Sequence, residues 1–217
     1  MNQLKPVFTR KADCRDCYKC VRECPVKAIK IEDNSAGIVD ELCIHCGRCV
    51  EVCPVGAKKV RNDVPAVRQQ IDLGKKVVLS IAPSWRAEFK NLHISQLIAA
   101  LRQLGFSQIS ETAIGAQMVS QAVAELIDHS EQQLFLSTAC PTVVDLICKY
   151  YPDYVRHLTP VVSPLMAHAR YLKSTAGENI SVAFAGPCIA KKVESERYQE
   201  PIAGALTFEN LHEWLID

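Results

Sequence analysis

The sequence predicts an α/β protein in two parts, a small cysteine-rich β/α module followed by a larger, mostly parallel α/β layer. Three observations predict it. Eight of the 11 cysteines fall within residues 14–53 as a tandem repeat. From Lys76 onward, apolar runs alternate with stretches of helical periodicity. The composition, 48% hydrophobic and 23% charged over 217 residues, is that of an ordinary globular chain of one or two domains and excludes the disordered and fibrous classes.

The repeat defines the first part, residues 1–61. Cys14, Cys17, Cys20 and Cys24-Pro25 are followed, at a constant offset of 29 residues, by Cys43, Cys46, Cys49 and Cys53-Pro54. Each copy reads C-x-x-C-x-x-C-x-x-x-C-P, the bacterial ferredoxin run for 4Fe–4S clusters, whose fourth cysteine serves the other cluster. This assigns Cys14, Cys17, Cys20 and Cys53 to one cluster, and Cys43, Cys46, Cys49 and Cys24 to the second. Zinc also takes four thiolates, but structural zinc sites pair two C-x-x-C hooks, and two full triplets with trailing Cys-Pro fit that badly. His45 reads as a surface histidine. Residues 1–61 hold 12 Lys/Arg against 8 Asp/Glu, a surplus that two clusters of about −2 each roughly cancel. Ala28 to Ile31 and Gly37 to Val39 read as short strands around an Asp33-Asn34 turn. Asn62 to Lys76, with Pro65 and Gly74, reads as a polar linker.

The second part, residues 77–217, alternates strand and helix. Val77 to Ala82 is a continuous apolar run, as in a strand covered on both faces. Ile94, Leu97, Ile98, Leu101 and Leu104 recur at helical spacing, and Gly105 ends that helix. Ser107 to Thr112 reads as a strand, and Val119, Val123, Leu126 and Ile127 mark a helix. Leu134 to Ser137 reads as a further strand, with a helix after Pro141. Ser163-Pro164 caps and starts another helix. Ile180 to Ala185 is a strand, and Thr207 precedes a last helix carrying Leu211, Trp214 and Leu215. Such alternation argues for a parallel sheet covered by helices.

Charge and hydropathy exclude other classes. A net charge of +1 argues against a nucleic-acid partner working through a basic face. No apolar run approaches the roughly 18–20 residues of a membrane span. The first residues lack the apolar core of a secretory signal. The expectation is a cytoplasmic protein in a reducing compartment, its thiols free to bind metal.

Two further cysteines stand in equivalent places. Cys140 follows the Leu134 to Ser137 segment, and Cys188 follows Ile180 to Ala185, beside Lys191 and Lys192. Ligand sites of parallel α/β proteins collect at the carboxyl ends of strands. On their own, two isolated cysteines also read as buried or incidental.

Around them the chain resembles the catalytic domain of the iron-only (FeFe) hydrogenases. That family carries T-S-C-C-P and M-P-C-x-x-K-K motifs, and this chain reads T-A-C-P at 138–141 and G-P-C-I-A-K-K at 186–192. Ala82-Pro83-Ser84-Trp85-Arg86 is similar to the family's A-P-S-x-R loop. The resemblance also takes in 101–106, 151–164 and the ferredoxin part that often precedes this domain. It implies a 4Fe–4S cubane joined through a cysteine to a two-iron unit with cyanide and carbon monoxide ligands. Cys140 and Cys188 match two cubane ligands, Lys191 the lysine that donates to a cyanide, and Pro83 and Ser84 the loop lining the two-iron unit. Lys192 reads as a solvated neighbour.

The chain departs from the family pattern in two places. Ala139 stands where catalytic members carry a proton-relaying cysteine, and of the acidic relay only Glu125 lies near. Alanine there implies the sensory branch. The family's third cysteine motif does not occur before Asp217, so the chain is expected to be part of a longer protein and, as it stands, to lack a complete hydrogenase centre. Cys148, about 12 Å along a helix from Cys140, reads as a buried helical cysteine rather than a substitute ligand.

The expected function is iron–sulfur electron transfer through two clusters to a hydrogenase-type site, as a hydrogen or redox oxidoreductase or sensor. Expected partners are redox proteins, a downstream signalling domain or protein, and dihydrogen or protons as substrate. The alternative is a ferredoxin-like carrier with a non-catalytic α/β docking domain.

Overall fold

The computed structural model describes residues 5–177, 179–198 and 202–216. Along the chain the elements are β1 (Val7–Thr9), α1 (Lys19–Glu23), β2 (Ile29–Glu32), β3 (Ser35–Ile38), α2 (Arg48–Glu51), β4 (Lys58–Val60), α3 (Val64–Asp72), β5 (Lys76–Ile81), α4 (Trp85–Glu88) and α5 (Ile94–Gln103). They continue as β6 (Gln108–Glu111), α6 (Ala113–Asp128), α7 (Pro141–Tyr150), α8 (Pro164–Ala176), β7 (Ile180–Ala185), α9 (Ala190–Arg197), β8 (Ile202–Leu206) and α10 (Phe208–Ile216). Two compact units result: one runs to Arg61 and includes Thr142–Val155, and the other comprises Asn62–Pro141 with the chain from Arg156.

The first unit is built from two antiparallel pairs, β1 with β4 and β2 with β3. Glu32 pairs with Ser35, so Asp33 and Asn34 form a two-residue turn with both φ positive, at 49° and 54°. Aspartate and asparagine suit that left-handed hairpin turn. Its small core joins Ala28, Ile29, Ala36 and Val52 to Cys20 and Cys24. Helix α7 is anchored here by polar groups of its last turn. Lys149 Nζ donates to the carbonyls of Cys43 at 2.7 Å and Asp40 at 3.2 Å, and the Tyr150 hydroxyl to that of Leu42 at 2.7 Å.

The second unit holds a four-stranded sheet in the order β6-β5-β7-β8, with every pairing parallel. Alternation along the central β5 sorts its side chains into two layers. Val77, Leu79 and Ile81 pack with Val67, Leu97, Leu101, Phe106, Leu211 and Trp214, while Val78 packs with Ala169 and Leu172 of α8. Ser163 caps α8, accepting the Met166 N–H at 3.4 Å, and Pro164 occupies its first turn.

Two expectations are corrected. The segment read as a linker contains α3, whose Val67 is fully buried. Its Pro65 lies in the first turn, where a missing N–H costs nothing, and Gly74 (φ +74°) follows the end; the pair punctuates a helix. The strand expected at Leu134 to Ser137 is reduced to a single parallel bridge, Leu136 to Leu158. No helix among the described residues is long and apolar enough to cross a membrane.

Candidate metal centre

In the first unit the repeat folds into two hollows. Cys14, Cys17, Cys20 and Cys53 line one, and Cys24, Cys43, Cys46 and Cys49 line the other. Each triplet loop thus meets the trailing cysteine of the opposite copy. Backbone conformation follows the same 29-residue offset. Asp16 and His45, Tyr18 and Gly47, and Lys27 and Gly56 are matched pairs with positive φ. These left-handed residues wrap the backbone around each hollow, a geometry that presents N–H groups to an anion. The Ala28 N–H donates to Cys24 Sγ at 3.3 Å, and its counterpart Ala57 to Cys53 Sγ at 3.2 Å. The His45 N–H points at Cys43 Sγ from 3.4 Å.

The thiols are not equally acidic. The N–H groups of Ala36 and Asp16 hold Cys14 below the usual thiol range. Burial would raise Cys53, but donors from Lys58, Val55, Ala57 and Gly56 outweigh it and hold the thiol low. Burial pushes Cys20 and Cys43 up, and Cys49 up to about 12. Deprotonating such buried thiols requires a strong local cation, which cluster iron provides. Among the described residues no three Cys, His, Asp or Glu side chains converge on a point suited to a single metal ion. Donor type, number and inward N–H groups therefore fit a thiolate-ligated cluster.

In the second unit Pro83 and Ser84 are exposed at the end of β5, and Cys188 is half-buried at the end of the adjacent β7. A Cβ at Gly186 would lie 2.6 Å from the Phe184 ring and 3.0 Å from Ala82 Cβ, so glycine there lets the two strand ends close up. Lys191 Nζ reaches across to the Ala139 carbonyl at 3.4 Å, which brings the loop of Cys188 to the loop of Cys140. The same ammonium donates to Glu194 Oε2 at 2.7 Å and Ser163 Oγ at 3.1 Å, and Ser163 donates to Glu194 at 2.9 Å. All three are buried. Cys140 itself is exposed.

Glu194 and Lys58 were not singled out in the sequence, and Ser163 only as a helix cap. Glu194 was findable, since it stands three residues after Lys191 on one helix face. Three other readings are corrected. Cys148 is exposed on α7. The Lys192 side chain is fully buried, 3.4 Å from Asp63 Oδ2. The His45 side chain is largely shielded, its Nδ1 3.6 Å from Asp145 Oδ2. Glu125 lies exposed on α6, hydrogen-bonded by Gln121 at 3.1 Å.

Comparison with known proteins bears on both units. Residues 13–57 match the 4Fe-4S dicluster domain, and residues 75–217 match the domain described as iron only hydrogenase large subunit, C-terminal domain. Iron hydrogenase 1 of Clostridium pasteurianum is 30% identical over 144 residues, which are 58% of this chain and 25% of that protein. A solved FeFe-hydrogenase structure, concerned with oxygen inactivation at the 2Fe subcluster of the H cluster, aligns with a TM-score of 0.61 at 21% identity. The alignment covers 72% of this chain and 47% of that one, so the fold is shared and the chain spans about half that protein's length or less.

Proposed function

The chain belongs to the iron-only hydrogenase family, by the C-terminal domain of its large subunit, and from that premise we propose that it passes electrons through two 4Fe–4S clusters to or from a hydrogenase-type iron centre. The cluster module takes in residues 1–61, and the hydrogenase-like domain residues 77–217. Cys14, Cys17, Cys20 and Cys53 would hold one cluster, and Cys43, Cys46, Cys49 and Cys24 the other. Cys140 and Cys188 would hold part of the iron centre. The clusters supply one-electron chemistry, and the iron centre supplies the binding of dihydrogen or protons.

The chain's own residues prepare both sites. Backbone N–H groups of Ala28 and Ala57 stabilise sulfur charge at Cys24 and Cys53. Glu194 and Ser163 hold the Lys191 ammonium beside the loop of Cys140, in place to donate a hydrogen bond to an anionic ligand there. Pro83 and Ser84 line the same edge of the sheet. Ala139 offers no titratable group, so no proton is relayed from that position. This favours hydrogen or redox sensing over turnover, with redox proteins as electron partners and a signalling domain or protein downstream, in the cytoplasm.

The observation that carries the proposal is the pair of hollows, each ringed by four cysteines related by the repeat. Anaerobic reconstitution followed by iron and sulfide analysis tests it. About eight irons per chain are expected, with spin-coupled electron paramagnetic resonance on full reduction. Colourless, zinc-loaded protein overturns it. With a matured iron centre in place, Ala139→Cys is expected to raise hydrogen turnover, and unchanged turnover removes the argument for sensing.

A further inference from the structure

The two hollows correspond position by position at the 29-residue offset, and they differ where charge matters. Lys58 lines the hollow of Cys14, Cys17, Cys20 and Cys53; its counterpart in the other is Ile29. Thr9 likewise answers to Ile38, and Arg15 to Ile44. At these three positions one hollow is polar and cationic and the other aliphatic; the Arg48 that lines the second hollow is neutralised by Glu23 and Glu51, each at 2.9 Å.

Lys58 is buried, with 3% of its surface exposed. Its ammonium donates to Thr9 Oγ1 at 2.6 Å and to the Ala36 carbonyl, and the Thr9 hydroxyl donates to that same carbonyl. Among the described residues no carboxylate pairs with it. A buried cation held only by neutral oxygens is costly unless an anion stands beside it. The surrounding cysteines supply one when they ligate a cluster, since a cubane with four thiolates remains anionic in both redox states.

We propose that Lys58 is the buried counter-charge of the cluster at Cys14, Cys17, Cys20 and Cys53, and that it makes this cluster the higher-potential member of the pair. A fixed positive charge favours the state with one more electron, and cluster potentials respond to nearby charge and to hydrogen bonds. The step is a simple one: a one-electron donor is oxidised, the cluster passes from the 2+ to the 1+ core, and no proton moves. The field of Lys58 also reaches Cys49 of the second set. Both potentials therefore rise, the first more than the second. The first electron rests on the cluster of Cys14 and leaves it only when a second arrives or an acceptor draws it onward.

The proposal rests on the two-cluster reading, and metal analysis separates the two before any titration: zinc, or far fewer than eight irons, overturns both. In the loaded wild-type chain, titrated with dithionite, paramagnetic shifts of cysteine β-protons show which set carries the first electron. The set Cys14, Cys17, Cys20 and Cys53 is expected. Lys58→Met, with its iron intact, lowers the first reduction potential more than the second and narrows their separation, whereas Lys58→Arg preserves it. First reduction at Cys24, Cys43, Cys46 and Cys49, or an unchanged separation in Lys58→Met, overturns the proposal. Should Lys58→Met fail to assemble both clusters, the wild-type localisation decides alone.

Discussion

The Lys192 ammonium, in a side chain with no exposed surface, stands 3.4 Å from the Asp63 carboxylate. Asp63 also accepts the Ala205 N–H at 3.3 Å, and Lys192 donates to the Ala205 carbonyl, so the pair ties β8 to the start of α3. Removing one partner of a buried ion pair typically costs about 3–5 kcal/mol. Asp63→Asn is expected to lose that much in denaturant unfolding, and adding Lys192→Met should restore a large part of it. A loss below about 1 kcal/mol in the single variant would show that water reaches the pair.

His168 is expected to make the second unit acid-sensitive. Its Nδ1 is 2.8 Å from Ser80 Oγ and its Nε2 2.9 Å from Ser110 Oγ, and burial lowers its pKa to about 4. The folded chain therefore refuses a proton that the unfolded chain accepts below about pH 6.5. This contribution is whole above pH 6.5 and falls away toward pH 4, by on the order of 3 kcal/mol. Unfolding free energies of wild type and His168→Gln across that range check it. Their difference should shrink as pH falls, and a difference independent of pH counts against it.

Gly115 allows α6 to lie against α8. A Cβ there would stand 2.1 Å from the Pro164 carbonyl oxygen and 2.7 Å from His168 Cβ. Backbone cannot yield as a flexible side chain does. Gly115→Ala is expected to cost about 1–3 kcal/mol or more, seen as a lower melting temperature. An unchanged melting temperature would mean that the two helices separate freely.

Cysteine replacement tests the crossed ligand sets. Cys53→Ser should disturb the same cluster signal as Cys14→Ser, and Cys24→Ser the same one as Cys43→Ser. Each single variant that loses a cluster loses roughly half of the iron. Iron content and electron paramagnetic resonance of the four variants give the answer. Shared loss by Cys14→Ser and Cys24→Ser would contradict the crossing.

Local pattern made much of the fold legible. The alternation of apolar runs and helical spacing from Lys76 corresponds to β5, α5, β6, α6, α8, β7 and α10. It failed where local punctuation was ambiguous. Pro65 and Gly74 mark a linker or the two ends of a helix equally well, and only the burial of Val67 separates the readings. Leu134 to Ser137 has strand composition, but among the described residues its ladder amounts to one bridge, Leu136 to Leu158. Cys148 illustrates the same limit: helical position was readable, and which face looks outward was not.

The repeat of cysteines at a 29-residue offset was sufficient, by itself, to specify thiolate chemistry and its duplication, because ligand type and spacing are written in consecutive residues. Tertiary structure alone decided what surrounds the thiols and the motif lysines. It buried Lys58 in the hollow of Cys14, brought Ser163 to Lys191, and buried Lys192 against Asp63. Helical and strand periods carry information over a few residues. The carboxylate that meets the Lys192 ammonium, Asp63, comes from far along the chain, and folding alone brings the two together.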